Sequence, residues 1–280
     1  MIFRKLAVLV CIAVLSMLID PLCGKAAGAF TALKAKSAIL MNMNSGAILY
    51  SQDADRRIQP ASITKVLSLY LVHEAVSEDR ARMDDLVKVS RKAWRTGGSR
   101  MYIREGWKVP LEDLVKGMAV VSGNDACVAV AEHFGGVELF VKEMNRKARE
   151  IGMTSSHFVN PNGLPAKGQF TTARDVLKLS KAYLTRFPES LSIHSMRYFT
   201  YGHVTQRNHN RLLQKCEDVD GLKTGYVRAA GYHIVATAKR GETRLIAVVM
   251  GTKNPRIRTV ETRRLLEEGF RMVGSTKIAA

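Results

Sequence analysis

Ser62 stands three residues before Lys65 in the stretch "PASITK", at the head of an apolar run that reaches Tyr70. On a helix that spacing puts a hydroxyl and an amine on one face. A serine hydroxyl is a weak nucleophile until a base takes its proton, and a lysine is a base only where burial or nearby cations hold it neutral. If the helix begins at Ser62, the hydroxyl also lies in the field of the helix N-terminus, which favours negative charge. Taken alone, the stretch fits a capping serine beside a solvated lysine better.

Two further patterns carry chemistry. Ser122, Gly123 and Asn124 fall between two apolar segments. A hydroxyl and a carboxamide on such a connection can relay a proton and hold a substrate amide, and the plain alternative is one helix stopping and the next starting. Lys223, Thr224 and Gly225 lead into the apolar run "GYHIVATAKR". They offer a cation and a hydroxyl to a carboxylate, and a glycine lets a substrate backbone lie along a strand edge. The plain alternative there is an edge strand blunted by lysine.

These residues need elements to hold them. Residues 37–52 read as two strands around a turn at Asn44, Ser45 and Gly46. "SITKVLSLYLVHEAV" has helical periodicity, "DDLVKVS" reads as a short strand, and "RKAWRTGGSRMYIREGWKVP" reads as loop. "LEDLVKGMAVV", "DACVAVAEHF" and "VELFVKEMNRKAREIG" read as helices, the last closed by Gly152. "NPNGLP" is loop chemistry, and "TTARDVLKLSKAYLTRF" opens with a threonine cap and runs as a helix. "GYHIVATAKR" and "TRLIAVVMG" are strands joined through Arg240, Gly241 and Glu242, and a helix from about Pro255 to Val273 closes the chain. Strands at both ends with helices between predict an antiparallel sheet, built from both ends of the chain, packed against a helical block. No repeat or linker divides it.

Length and composition fit this picture. The chain has 280 residues, 46% hydrophobic and 24% charged, enough for one sizeable core. Arg4 and Lys5, the apolar run "LAVLVCIAVLSMLI" and the small residues after it have the order of a secretory signal peptide over residues 1–29, with cleavage near Ala26–Ala29. The alternative is an uncleaved anchor. Either way the chain is exported, to the periplasm or the outer face of the cytoplasmic membrane. Cys11 and Cys23 lie in that leader. Cys127 and Cys216 remain and read as buried small residues. Net charge is +18, and removing Arg4, Lys5, Lys25 and Asp20 leaves +16. Such a surplus favours weak association with an anionic membrane surface or wall. No nucleic-acid motif accompanies it.

In this order, Ser-x-x-Lys, Ser-x-Asn and Lys-Thr-Gly are the triple of the penicillin-recognising serine acyl enzymes. The flanking stretches "PASITK", "GGSRMYIREG", "LVKGMAVVSGNDAC", "NPNGLP", "TTARDV", "QRNHNRLL", "DGLKTGY" and "RLIAVVMG" resemble the D-alanyl-D-alanine carboxypeptidases, the low-molecular-mass penicillin-binding proteins, from about Ser37 to Phe270. The resemblance implies an α+β fold of the β-lactamase/transpeptidase type in one catalytic domain over residues 30–280, without the C-terminal β domain of many relatives. It implies removal of the terminal D-alanine from peptidoglycan stem peptides ending in D-Ala-D-Ala, covalent inhibition by β-lactams, and no metal or cofactor. Ser62 is then the acylated nucleophile, Lys65 its base and Ser122 the proton relay. Asn124 bonds the acyl part, Lys223, Thr224 and Gly225 receive the substrate, and Arg258 lies near its carboxylate. The N–H groups of Ser62 and Tyr226 form the oxyanion hole. Three cations around one pocket, Lys65, Lys223 and Arg258, are expected to lower one another's pKa. Val227 departs from the family, which often has threonine there, and that bears on substrate preference.

A DD-endopeptidase that cuts cross-links shares every motif and stays open. A class A-like β-lactamase needs a Glu-x-x-Leu-Asn loop, and Glu189 to Ser192 match it poorly. A non-catalytic wall-binding module predicts that Ser62 is dispensable. No Gly-x-Ser-x-Gly supports a Ser-His-Asp hydrolase, and no His-Glu-x-x-His supports a zinc peptidase.

Overall fold

Alternation along the central strands sets the architecture. Strands β1 (Ser37–Asn42) and β2 (Ile48–Gln52) form the expected hairpin, and the chain returns at its other end with β7 (Val219–Val227), β8 (Gly231–Arg240) and β9 (Thr243–Thr252). Helices and two small two-stranded sheets fill the interval: α1 (Lys65–Ser77), β3 (Leu86–Lys88), α2 (Arg91–Arg95), β4 (Lys108–Pro110), α3 (Leu111–Val120), α4 (Asn124–His133), α5 (Val137–Glu150), α6 (Ala173–Arg186), α7 (Leu191–His194), β5 (Tyr198–Tyr201) and β6 (Val204–Arg207). Helix α8 (Pro255–Met272) follows β9. The computed structural model describes residues 31–274, so the leader expected over residues 1–29 lies outside the described residues. No helix among the described residues is long and apolar enough to cross a membrane.

The sheet runs β2-β1-β9-β8-β7, antiparallel at every step, which is the predicted sheet with strands from both ends of the chain. Its two faces bury different sets. Ile39, Met41, Val235, Ile246 and Val248 join the core shared with the helical block, and the alternate residues Leu40 and Leu245 face α8, where a side chain on Gly269 would overlap both. Helix α1 crosses the helical block with every residue from Lys65 to Ala75 buried. An apolar stretch without a polar face is a helix enclosed on all sides, so the residues behind Lys65 have nowhere to move.

Caps fall where the residue types predict them. Thr172 Oγ1 accepts the Asp175 N–H at the start of α6, and Asn254 Oδ1 accepts the Ile257 N–H at the start of α8, with Pro255 in its first turn. Cys127 and Cys216 are both buried and unpaired.

Two regions differ from expectation. The segment read as loop holds α2, capped by Ser90 accepting the Ala93 N–H, and the strand β4 paired to β3. The hairpin of β5 and β6 had no sequence reading. Its two strands are only four residues each, and just Phe199 in them is buried, so alternation is too brief to register.

Candidate active site

The nucleophile's turn is tighter than the sequence suggests. Ser62 does not begin an α-helix. Ala61–Thr64 form a 3₁₀ turn without a side-chain cap, and α1 starts at Lys65. The 3₁₀ turn brings the pair closer than an α-helical start would, because three residues per turn eclipse positions i and i+3. Lys65 Nζ lies 3.1 Å from Ser62 Oγ. Strand β7 passes against this turn: a side-chain carbon on Gly225 would stand 3.1 Å from the Ser62 nitrogen and 3.0 Å from Ala61 Cβ. Any side chain at Gly225 would have to shift the strand or the Ser62 turn by a few tenths of an ångström, so glycine seats β7 closely on that turn.

Lys65 is fully enclosed. Its amine donates to Asn124 Oδ1 at 2.6 Å and to the Asn162 carbonyl at 2.8 Å. Burial lowers its pKa to about 8, against the opposing pull of Cys127 and Asp125. A neutral amine has two N–H bonds and one lone pair. With both N–H groups directed to Asn124 and Asn162, the lone pair is left for the Ser62 hydroxyl.

Ser122 joins α3 to α4 with φ +61°, and its buried Oγ has no hydrogen-bond partner. A serine in the left-handed region is uncommon, and with Asn124 it is held by a built frame. Asn124 Nδ2 donates to the Gly97 carbonyl, and its N–H donates to the Ser99 carbonyl. Asp125, which the motif reading passed over, is fully buried and accepts the N–H groups of Met101, Tyr102 and Ala126. It ties the loop around residues 97–102 to the start of α4. An acid in the first turn of a helix beside a motif was the available signal.

The Asn160–Pro165 loop is the second part that motif reading undervalued. It supplies the Asn162 carbonyl to Lys65, and its own Pro161 carbonyl accepts Ser68 Oγ at 2.7 Å and Cys127 Sγ at 3.2 Å. Asn160 bonds the N–H of Gly163 and the carbonyl of Leu164, closing the loop on itself.

Lys223 and Thr224 lie on edge strand β7, as expected, but the two side chains are not equivalent. Thr224 lines the cavity in front of Ser62. Lys223 stands behind the wall, buried, donating to the Thr224 carbonyl at 3.2 Å. Its pKa is driven well below the usual lysine range by burial first and by the charges of Lys65 and Arg258 second. The expectation that the three cations lower one another's pKa thus holds at Lys223 alone, and there only after burial; at Lys65 and at Arg258 burial leads and the other two cations are not among the causes. Arg258, on α8, lines the cavity and reaches the carbonyls of His209 at 3.2 Å and His233 at 3.4 Å, with its pKa lowered to about 10. Tyr226 is exposed and stacks on Tyr232 at 4.3 Å between centroids.

The cavity holds about 560 Å³ and is lined by Ser62, Ser122, Asn124, Thr224, Gly225, Tyr226, Val227 and Arg258, with Gly163–Pro165 on one side and Arg207–His209 and Arg211 on another. No carboxylate is among its lining residues. A nucleophile, a desolvated base, an unpartnered hydroxyl and an arginine around one opening make a site for acyl transfer from a substrate that ends in a carboxylate.

The chain is similar to known proteins over most of its length. The family model described as D-alanyl-D-alanine carboxypeptidase matches residues 24–254. The D-alanyl-D-alanine carboxypeptidase DacC of Escherichia coli strain K12 is 42% identical over 245 residues, 85% of this chain and 61% of that protein. The chain thus spans about three-fifths of the length of that relative. Among solved structures, penicillin binding protein 5 from Haemophilus influenzae superposes with a TM-score of 0.84 at 37% identity, covering 86% of this chain and 72% of that one. Penicillin-binding protein D2 from Listeria monocytogenes, solved in an ampicillin-bound form, superposes with a TM-score of 0.80 at 31% identity, covering 86% and 99%. The fold is that of the penicillin-binding proteins, and the chain belongs to the D-alanyl-D-alanine carboxypeptidase family.

Proposed function

We propose that this protein is a serine-type D-Ala-D-Ala carboxypeptidase, removing the terminal D-alanine from peptidoglycan stem peptides and acylated by penicillins. One observation carries the reading. Lys65 is buried, its pKa is lowered to about 8, and it stands 3.1 Å from Ser62 Oγ with two other acceptors for its N–H groups.

The neutral amine takes the Ser62 proton as Oγ bonds to the carbonyl carbon of the penultimate D-alanine. The N–H groups of Ser62 and Tyr226 hold the developing oxyanion. Asn124 bonds the acyl portion. Thr224 and Arg258 hold the leaving residue's carboxylate, and Lys223 behind them tunes the site's potential. Ser122, whose hydroxyl is unpartnered, passes a proton to the leaving nitrogen as the C–N bond breaks. Water then hydrolyses the ester on Ser62. With no carboxylate lining the cavity, nothing there activates that water as a β-lactamase glutamate does, so a penicilloyl ester on Ser62 leaves slowly.

We infer export from the leader pattern of residues 1–29, and weak attraction to the anionic wall or membrane from the net charge of +18. Labelled penicillin is expected to bond covalently to the purified protein, with Ser62→Ala removing the label. D-alanine is expected from a peptide ending in D-Ala-D-Ala. Intact-mass spectrometry without an adduct overturns the acyl-enzyme reading. An adduct with no D-alanine release, but with cleavage of cross-linked dimers, makes the protein an endopeptidase instead.

A further inference from the structure

Charge is unevenly spread around the cavity. Where Asn124 lies, the wall is neutral: Gly98, Ser99, Leu164 and Pro165. Where Arg258 lies, Arg211 and Arg207 join it. Both are exposed, and neither has an ion pair among the described residues. The Arg258 guanidinium donates to the His209 carbonyl, so the segment carrying Arg207 and Arg211 touches it directly.

That segment is built rather than loose. Asn208 and Asn210 are buried within it. Asn208 Nδ2 donates to the His194 and Met196 carbonyls, and its Oδ1 accepts the Asn210 N–H. Asn210 Nδ2 donates to the Gly221 carbonyl at 2.9 Å, one residue before the Leu222–Lys223 stretch of β7. Two buried amides thus fix the backbone that carries Arg207 and Arg211, both of them among the residues that line the cavity. Arg258 is itself 94% buried, since 6% of its surface is exposed, and its Nε has no partner. Its pKa is lowered by burial and next by the charge of Arg211. Like charges this close repel, and a bound anion relieves them.

One terminal carboxylate occupies Thr224 and Arg258 in the proposed reaction, which leaves Arg211 and Arg207 without a counter-charge. We propose that Arg211 and Arg207 form an anion subsite on the leaving side of the scissile bond, accepting a second carboxylate carried by the leaving residue. The proposal rests on the carboxypeptidase reading of the site. The bond chemistry is unchanged: the acyl group passes to Ser62 Oγ, and the leaving amine departs with the proton from Ser122. What the subsite adds is preference. An acidic leaving residue, of which the acceptor peptide of a cross-link is one kind, is favoured over a neutral one of the same size.

Three acylated dipeptides test this, ending in D-Ala-D-Ala, D-Ala-D-Glu and D-Ala-D-Gln, with release of the last residue as the readout. D-Glu and D-Gln differ in charge and hardly in shape. The wild-type protein is expected to favour D-Glu over D-Gln in kcat/KM by about fivefold at low salt, the scale of one partly exposed ion pair. The preference shrinks at about 1 M salt. Arg207→Gln with Arg211→Gln brings the D-Glu to D-Gln ratio close to one, whereas Arg211→Lys retains part of the preference. A wild-type ratio of one, or a ratio that survives the double substitution, overturns the subsite. If D-Ala-D-Ala is hydrolysed normally in that case, only the subsite has failed. If no dipeptide is hydrolysed and penicillin forms no adduct, the carboxypeptidase reading fails and the subsite with it.

Discussion

A side-chain carbon on Gly163 would stand 1.8 Å from the carbonyl oxygen of Ala61, and Gly163 holds φ +84°. The loop that supplies Lys65 with the Asn162 carbonyl is therefore pressed against the chain one residue before the nucleophile. No side chain fits between them.

Gly163→Ala is accordingly expected to push the Asn160–Pro165 loop away from the Ser62 turn. Overlap and a left-handed alanine together cost on the order of 1–3 kcal/mol. Activity suffers more, because a displacement of about 1 Å at a reacting pair costs roughly a hundredfold. Penicillin acylation rate and thermal midpoint measured on one preparation check this. A variant that loses stability but acylates at the wild-type rate contradicts the positional role given to the loop.

The pKa of Lys65, lowered to about 8, predicts the pH profile of acylation. The base must be neutral, so the acylation rate rises with pH and levels off above about 8. The stability effect has the same sign. The folded-state pKa is depressed, so the unfolded chain binds more protons between about 8 and about 10.4, and stability rises through that window. Below it the burial penalty on the ammonium is fully present. Second-order acylation constants from pH 6 to 9 decide the matter, and a flat profile removes Lys65 as the base.

Asp125 predicts a loss that appears first in folding. Its carboxylate accepts the N–H groups of Met101, Tyr102 and Ala126, and it is wholly buried. Asp125→Ala leaves buried donors unpaired, at about 1–3 kcal/mol for such a group. Asp125→Asn retains one acceptor oxygen and is expected to fall between. Denaturant midpoints for the two variants should rank in that order, with acylation slowed because Asn124 and Ser99 share the same loop contact.

The three motifs were legible because each is a run of adjacent side chains with chemistry of its own, and their order narrowed the meaning further. The strands from both ends were legible because β8 and β9 are long and bounded by turn residues. What escaped was work done by backbone and by distance. Asn162 acts through its carbonyl, which any residue carries, so its identity says nothing of the bond to Lys65. Lys223 sits behind the cavity wall because β7 packs on the Ser62 turn, a contact across a long stretch of chain. The 3₁₀ turn at Ser62 has the same apolar spacing over four residues as an α-helical start, and only tertiary contact with Gly225 tells them apart.

Buried histidines set the acid limit of the fold. His194 is enclosed between the Tyr183 hydroxyl and the Leu222 carbonyl, and burial lowers its pKa to about 3. His233 accepts the Gly251 N–H on Nδ1, and burial lowers its pKa to about 4. Both are neutral in the folded protein and protonate near pH 6.5 once unfolded. Since the folded-state pKa values are depressed, the unfolded chain binds more protons, and stability falls as pH drops from about 6.5 toward 4. Each histidine contributes roughly 3 kcal/mol of loss by pH 4, at 1.36 kcal/mol per unit. Unfolding in urea at pH 7, 5.5 and 4.5 should show a falling midpoint, and His194→Gln should flatten the slope. A midpoint that holds steady down to pH 4.5 means these imidazoles gain protons without unfolding, and that the enclosure around β7 and α7 opens to water.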